Sequence, residues 1–455
     1  MTPAATTAAL SAAENRAAFG SVNRHILGTL ASQVAVFVFG LITSVILNRS
    51  LGPEGKGVYA MVLTTSQLIA LCASLGVAKS ITFHLAQSGT DHKKHFQTIA
   101  AFCLFTVTLS ALVVFALRLC WPCGIWGDVF RASFWPLLLL TGASLLSACG
   151  LGVLRGLRLF KESNLYNSLT SAAFLALLLA GWCATGLDAR TALLAKVGGA
   201  FLLIAVIAWR LHKQSFHFAP KFDPAIARGL LTYGLGYFGY TVFQNLNYRF
   251  DVLLVAGLTN AAGTGCYTTA TGLAEILWFL PNAIGTVLLP VIAGRQGDSA
   301  DQLTAKVCRV SVALMALGTL TLCAGGRWLV PVLYGAAFQP TVAVIDALAF
   351  GILTNGVFTV LGTHLASRKM LGALMGITSG GFAVNVLLNL WWIPRWGIVG
   401  AGLASTVSYS VTALLTARKF AQTTGIPWRE CLFIKRAEVN AIAGMVRRKI
   451  LGLNS

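Results

Sequence analysis

A chain of 455 residues that is 56% hydrophobic and only 11% charged, with a formal net charge of +20, lies far from soluble domains, where about a quarter of residues carry charge. Its mean hydropathy is +0.75. These values exclude a soluble enzyme and imply an all-α polytopic membrane protein, with no separate soluble domain required by the length.

In chain order, residues 1–25 read as a cytoplasmic N-terminal segment, Ala/Thr-rich up to Gly20 and lacking the apolar core of a cleavable signal peptide. Apolar stretches of spanning length follow at 26–47, 58–88, 96–119, 133–153, 164–186, 190–210, 230–258, 264–293, 303–324, 341–365, 371–392 and 397–417. The second, seventh and eighth are long, and Gly76, Pro281 and Gly285 predict bends there. The chain thus divides into a first six-helix bundle at 26–210, a cytoplasmic linker at 211–229, a second bundle at 230–417 and a basic cytoplasmic tail at 418–455. In that tail Val439, Ile442, Val446 and Ile450 recur at helical spacing beside Arg447, Arg448 and Lys449. The pattern suits an amphipathic helix on the inner leaflet, and equally a frayed, solvated tail.

Lys and Arg favour the loops on the side of the two termini by about threefold, which places both termini in the cytoplasm. Short basic loops there meet anionic inner-leaflet lipids, so the positive balance needs no nucleic acid. Most of the ten cysteines lie in spans, where they act as small apolar side chains. Cys120-Trp121-Pro122-Cys123 in a predicted outer loop has neither the βαβ context of a redox motif nor neighbouring histidines for zinc. It reads as a disulfide or two separate thiols. No cofactor or metal site is predicted.

Several glycine patterns concern packing. Gly234, Gly236 and Gly239 match G-x-G-x-x-G but open a span instead of following a strand, so they predict loosened packing or a bend and not a dinucleotide site. Gly372, Gly376 and Gly380 predict a close helix contact in span eleven, and Gly152 with Gly156 a weaker one. Gly57 and Tyr59 superpose at constant offset on Gly265 and Tyr267, and each pair opens a long helix. Six spans separate the two units, an even number, so the bundles are expected to be parallel repeats.

Five ionisable residues fall inside otherwise apolar stretches: Arg49, Lys79, Arg249, Asp251 and Glu275. Charges at that depth are costly and persist facing a cavity, a partner or a substrate. On an ideal helix Gln244, Asn247, Tyr248 and Asp251 share a sector of about 100°, while Arg249 and Asp251 stand about 200° apart and should not pair. Arg49, Arg249 and Lys79, with Gln244 and Asn247, are the candidate substrate-binding set. Guanidinium suits phosphate through forked hydrogen bonds. Asp251 and Glu275 are the candidate ion-coupling carboxylates, for H⁺ or Na⁺. The alternatives are that Arg49 and Lys79 snorkel to an interface and that Glu275 is a neutral, hydrogen-bonded acid between helices. His84 and His364, near cytoplasmic span ends, read as solvated.

The run from Ile46 through Asn48, Arg49, Gly52, Pro53 and Gly57 to Tyr59 resembles the first-loop signature of bacterial polysaccharide flippases. Tyr248-Arg249-Phe250-Asp251, Ala274-Glu275 through Pro281, Asn385 with Asn389, Ile393-Pro394 and Gly397 through Ala401 resemble later motifs of the same superfamily, which includes multidrug (MATE) exporters. The resemblance runs from about Arg24 to about Phe420. It implies two MATE-like six-helix bundles in the bacterial inner membrane, moving a polyprenyl-pyrophosphate-linked oligosaccharide to the outer leaflet by alternating access. A polysaccharide polymerase or glycosyltransferases are the implied partners, and Arg49 matches a cavity arginine. A drug or organic-cation antiporter of the same superfamily is the alternative. A membrane-embedded polymerase or ligase is a weaker one, because the outer loops are short and Asp128 and Asp188 stand alone in them.

Overall fold

The computed structural model describes residues 3–87, 91–120, 124–214, 220–293, 298–436 and 438, leaving aside the side chains of 3–31 and most of those beyond 282 in the eighth span. Regular structure among the described residues is helical: α1 (Pro3–Ser74), α2 (Val77–Leu85), α3 (His92–Cys120), α4 (Gly124–Ala132), α5 (Phe134–Gly156), α6 (Phe160–Thr185), α7 (Ala189–His212), α8 (Pro224–Leu258), α9 (Ala261–Ala293), α10 (Asp298–Tyr334), α11 (Pro340–Ser367) and α12 (Leu371–Thr424), plus two short 3₁₀ turns. The expected spans all fall on these helices. Among the described residues, eight segments are long and apolar enough to cross a membrane, and α8 is not among them because its apolar run is interrupted by the polar set from Gln244 to Asp251. Leu104, Phe105, Leu112 and Leu119 remain more than half exposed along α3, a surface suited to lipid.

Spans one and two form α1, joined at Gly52 (φ 62°, ψ 179°), and spans eleven and twelve form α12, joined at Gly397 (φ 56°, ψ −138°). Both angles are disfavoured for side chains with a Cβ, and Pro53 then starts the new helical segment with φ already set. The expected bend at Gly76 is a full break, with Leu75 and Gly76 both left-handed. α9 passes through Pro281 and Gly285 as one helix.

The chain forms two compact units: residues 1–50 with 65–235, and residues 51–64 with 236–455. In the first unit, Val77 and Ile81 of α2 pack with Phe102, Cys149, Val153 and Ile207. The Gly152/Gly156 pair, the weaker motif in the sequence, makes the closest approach there. A Cβ on Gly152 would come within 2.6 Å of the Ala78 carbonyl oxygen, and one on Gly156 within 2.7 Å of Leu85 Cβ. In the second unit the expected GxxxG contact is corrected: nothing approaches Gly372, Gly376 or Gly380, whereas Gly381 meets Thr412. The reason is helical phase, since Leu374, Thr378, Gly381 and Asn385 form the buried stripe of that segment.

The repeat glycines meet each other in the second unit. A Cβ on Gly57 would collide with the carbonyl of Ala261, and one on Gly265 with the carbonyl of Pro53, each the residue four before the opposite glycine. This reciprocal crossing is the physical content of the duplication seen in the sequence. Gly57→Ala and Gly265→Ala are each expected to lower stability by about 3 kcal/mol through overpacking against rigid backbone. Gly272→Ala, with open space around it, should be neutral or stabilising. Thermal unfolding of the three purified variants in detergent checks the contrast, and equal melting temperatures would contradict the crossing.

After α12, Trp428–Cys431 forms a 3₁₀ turn and Cys431 is fully buried beside Cys308, Phe420 and Leu365. Glu438 is buried too, bonded to Arg309 of α10. The hydrophobic residues expected on an amphipathic helix, Val439 to Ile450, lie outside the described residues, as do residues 121–123 of the Cys120–Cys123 pair. His364 is also corrected: it is fully buried, its Nδ1 2.9 Å from Thr304 Oγ1 and its Nε2 3.2 Å from Asp301, which also binds Arg368 at 2.7 Å. Its position at a helix end suggested water, but α10 supplies the neighbours. His84 is partly buried, with Nδ1 2.9 Å from the Ser80 carbonyl.

Candidate functional site

The polar stripe of α8 becomes a lattice through α9, α11 and α12 of the second unit. Asp251 is 1% exposed. Its Oδ2 accepts from the Tyr267 hydroxyl of α9 and from Ser405 Oγ of α12 at 3.0 Å, and its Oδ1 from the Val252 amide at 2.8 Å. Ser405 in turn accepts from Asn385 Nδ2 at 3.4 Å, and Asn389 Nδ2 donates to the side-chain and main-chain oxygens of Asn385. A buried carboxylate is tolerated when several donors surround it. Asn389 Oδ1 is a buried acceptor with no partner among the described residues.

One turn earlier on α8, Asn247 Oδ1 accepts from Ser408 at 2.8 Å, and Ser408 also donates to the Gly381 carbonyl. Tyr248 donates to Asn355 of α11 at 2.7 Å, with Gln244 Nε2 3.5 Å from the Tyr248 oxygen. Tyr248, Trp278 and Tyr409 pack ring against ring, with centroids 5.2 to 5.7 Å apart. Asn245 donates to the Thr241 carbonyl of its own helix.

Arg249 points elsewhere, as its angular separation from Asp251 requires. Its guanidinium meets Glu275 of α9 through two contacts, Nη1 to Oε1 at 2.8 Å and Nη2 to Oε2 at 3.1 Å. The two side chains are 35% and 31% exposed, so this fork is neither sealed in the core nor free in bulk solvent. An Arg–carboxylate fork of this kind is the geometry another oxyanion can take over.

The remaining members of the predicted set divide between the two units. Arg49, three residues before the Gly52 joint, and Lys79, three after the Gly76 break, both have exposed side chains in the first unit. Each stands beside a helix interruption, where a long basic side chain can reach polar surroundings. Asn247 is 3% exposed, with its oxygen already engaged by α12, and Gln244 is partly buried. Sequence reasoning missed Tyr267, Ser405 and Ser408 as partners of the α8 stripe. The signal for the latter two was the spacing of Ser405, Ser408 and Thr412 on one face of an apolar span.

The family described as "Polysaccharide biosynthesis protein" matches residues 22–296. The chain belongs to this family. Among curated relatives of this polysaccharide biosynthesis protein, the "Probable low-salt glycan biosynthesis flippase Agl15" of Haloferax volcanii is 22% identical over 84% of this chain and 79% of its own length. "Stage V sporulation protein B" of Bacillus subtilis is 24% identical over 85% and 81%. Among solved structures, the lipid II flippase MurJ in an inward closed conformation aligns with a TM-score of 0.74 at 14% identity, covering 89% of each chain. An inward-facing MATE-family multidrug resistance transporter of the MOP superfamily aligns with 0.69 at 11%, covering 88% of this chain and 98% of its own. The chain is thus a multi-pass membrane protein with the fold of MOP-superfamily transporters.

Proposed function

We propose that this protein is a flippase that carries a polyprenyl-pyrophosphate-linked oligosaccharide from the cytoplasmic to the outer leaflet of the bacterial inner membrane, by alternating access, for surface polysaccharide biosynthesis. The observation that carries the reading is the half-open Arg249–Glu275 fork in a member of this family. Pyrophosphate offers the same paired oxygens as a carboxylate, with more charge, and so competes with Glu275 for the guanidinium. Glu275, once displaced, has lost its counter-charge and is the carboxylate assigned to couple the cycle to H⁺ or Na⁺. Substrate capture and ion binding are thereby linked, and release reverses both.

Arg49 is the second cation assigned to phosphate, with Lys79 and Gln244 as weaker contributors. Asn247 belongs to the same proposal through the α8 stripe it shares with Asp251. Asp251 is the other coupling carboxylate, for H⁺ or Na⁺, beside Asn385 and Asn389, and the unpartnered Asn389 Oδ1 is an oxygen that a cation or a water satisfies. No bond is made or broken in this cycle. Glycosyltransferases would supply the substrate and a polymerase would consume it.

The test is flipping of a polyprenyl-pyrophosphate oligosaccharide in vesicles holding the purified protein, with imposed H⁺ or Na⁺ gradients. Flipping that accelerates with one gradient, and loses that dependence in Glu275→Gln or Asp251→Asn, is the expected result. Flipping indifferent to both gradients would overturn the coupling. Transport of organic cations without any flipping would overturn the substrate class.

A further inference from the structure

A cavity of about 430 Å³ opens in the first unit among α3, α5 and α7, well separated in sequence from the Arg249 fork. Its lining recurs at helical spacing on each helix, as in Phe96, Ile99, Ala100 and Cys103 of α3, so three apolar stripes that pack together in the core leave open space beside their contact. The space exists because a small residue faces it from each side: Ala100, Gly150 and Ala208. A Cβ at Gly150 would already stand 3.0 Å from Ile207, so α5 and α7 cannot close further at that level. The volume falls in the range of ligand pockets, and an apolar lining excludes water and admits hydrocarbon.

One end of the groove is basic. His212 lines it, and Lys213 follows with its ammonium 4.0 Å over the Trp209 ring. Lys93 and Lys94 start α3 with exposed side chains, and Lys94 lies 3.9 Å from Asp91. The Lys221 amide donates to the Gln97 carbonyl at 3.3 Å, which brings the linker and its own charge over the same mouth. Against Lys93, Lys94, Lys213 and Lys221 stand Asp91 and Asp223, the latter capping the start of α8, so the rim is net positive among the described residues.

We infer that this groove is a binding site for one acyl chain of an anionic phospholipid, whose phosphate sits against the Lys213, Lys93 and Lys221 rim. The chain fills a volume that the three helices cannot close, and the headgroup meets the basic residues that the orientation places at the cytoplasmic leaflet. A polyprenyl chain of many isoprene units overruns the groove, which favours phospholipid as the occupant.

Native mass spectrometry of the full-length protein, exchanged into nanodiscs of phosphatidylcholine with a minor share of phosphatidylglycerol, provides the test. The wild type should retain phosphatidylglycerol about tenfold over its share in the disc. Ala208→Trp, which fills the groove, should remove that retention. Lys213→Gln with Lys93→Gln, which leaves the apolar lining residues in place, should keep a bound lipid but abolish the preference for the anionic headgroup. The rim variant decides the matter even where Ala208→Trp fails to fold. Undiminished retention in Ala208→Trp, an unchanged preference in the rim variant, no retained phospholipid in the wild type, or displacement by added polyprenyl phosphate would each overturn the assignment.

Discussion

Replacing Arg249 with glutamine is expected to slow flipping of a polyprenyl-pyrophosphate oligosaccharide by about 10²-fold, toward the low end of the roughly 2–5 kcal/mol for truncating one partner of a hydrogen-bonded charge pair, because this fork is partly exposed. The single variant has two possible causes of failure, because it also leaves Glu275 without its partner. The double variant Arg249→Gln/Glu275→Gln separates them. A structural pair is rescued when both charges go, since a neutral pair of similar volume packs as well. A phosphate ligand is not rescued, since the forked donor is still missing. Arg249→Lys should fall between, keeping the charge and losing the second hydrogen bond. Flipping in the double variant restored to the wild-type rate would end the phosphate reading. Melting temperatures of the same proteins report the structural part alone.

The contrast between Arg249 and Asp251 marks how far the sequence could be read. Their separation on one helix is geometry at 100° per residue, so their divergence was legible without any tertiary information. Which partners they diverge toward was not: Ser405 lies 154 residues from Asp251 in the chain, and Glu275 lies 26 from Arg249 on a different helix. Span positions were legible because an apolar stretch in lipid must satisfy its own backbone. The GxxxG of span eleven misled because spacing specifies a face but not which face is covered, and Gly381 on the neighbouring sector is the one that packs. The exposure of Arg49 and Lys79 was not legible either: an apolar window has no depth coordinate near a helix interruption, and both residues stand three positions from one. The Gly57 and Gly265 pair was the reverse case, where two weakly matching motifs proved to be the two halves of one crossing.

The same limit applies to the tail, and there it has an energetic consequence. Arg309 and Glu438 are 129 residues apart, each under a tenth exposed, and joined by Nε at 3.0 and 3.1 Å and Nη2 at 2.5 Å. Arg309 Nη1 also donates to the Glu430 carbonyl, and the Lys435 amide donates to Glu438. Arg309→Gln is therefore expected to destabilise the docked tail by about 3–5 kcal/mol, because it strands a buried carboxylate. Arg309→Met with Glu438→Leu should recover most of that loss, since an apolar pair of similar size removes both desolvation penalties. Limited proteolysis after Gly425, followed alongside thermal unfolding, reads the docking directly, and wild-type resistance in Arg309→Gln would refute it. Acid provides an independent check. Hydrogen bonds from Arg309 are the largest cause holding the Glu438 carboxyl below its usual range. Its contribution is complete above the unfolded carboxyl value of about 4.3 and is lost as pH falls through the lower folded value. The wild-type tail should thus become protease-sensitive only below about pH 4.3, the unfolded value, while the apolar double variant should show no such step, because it has no proton to gain.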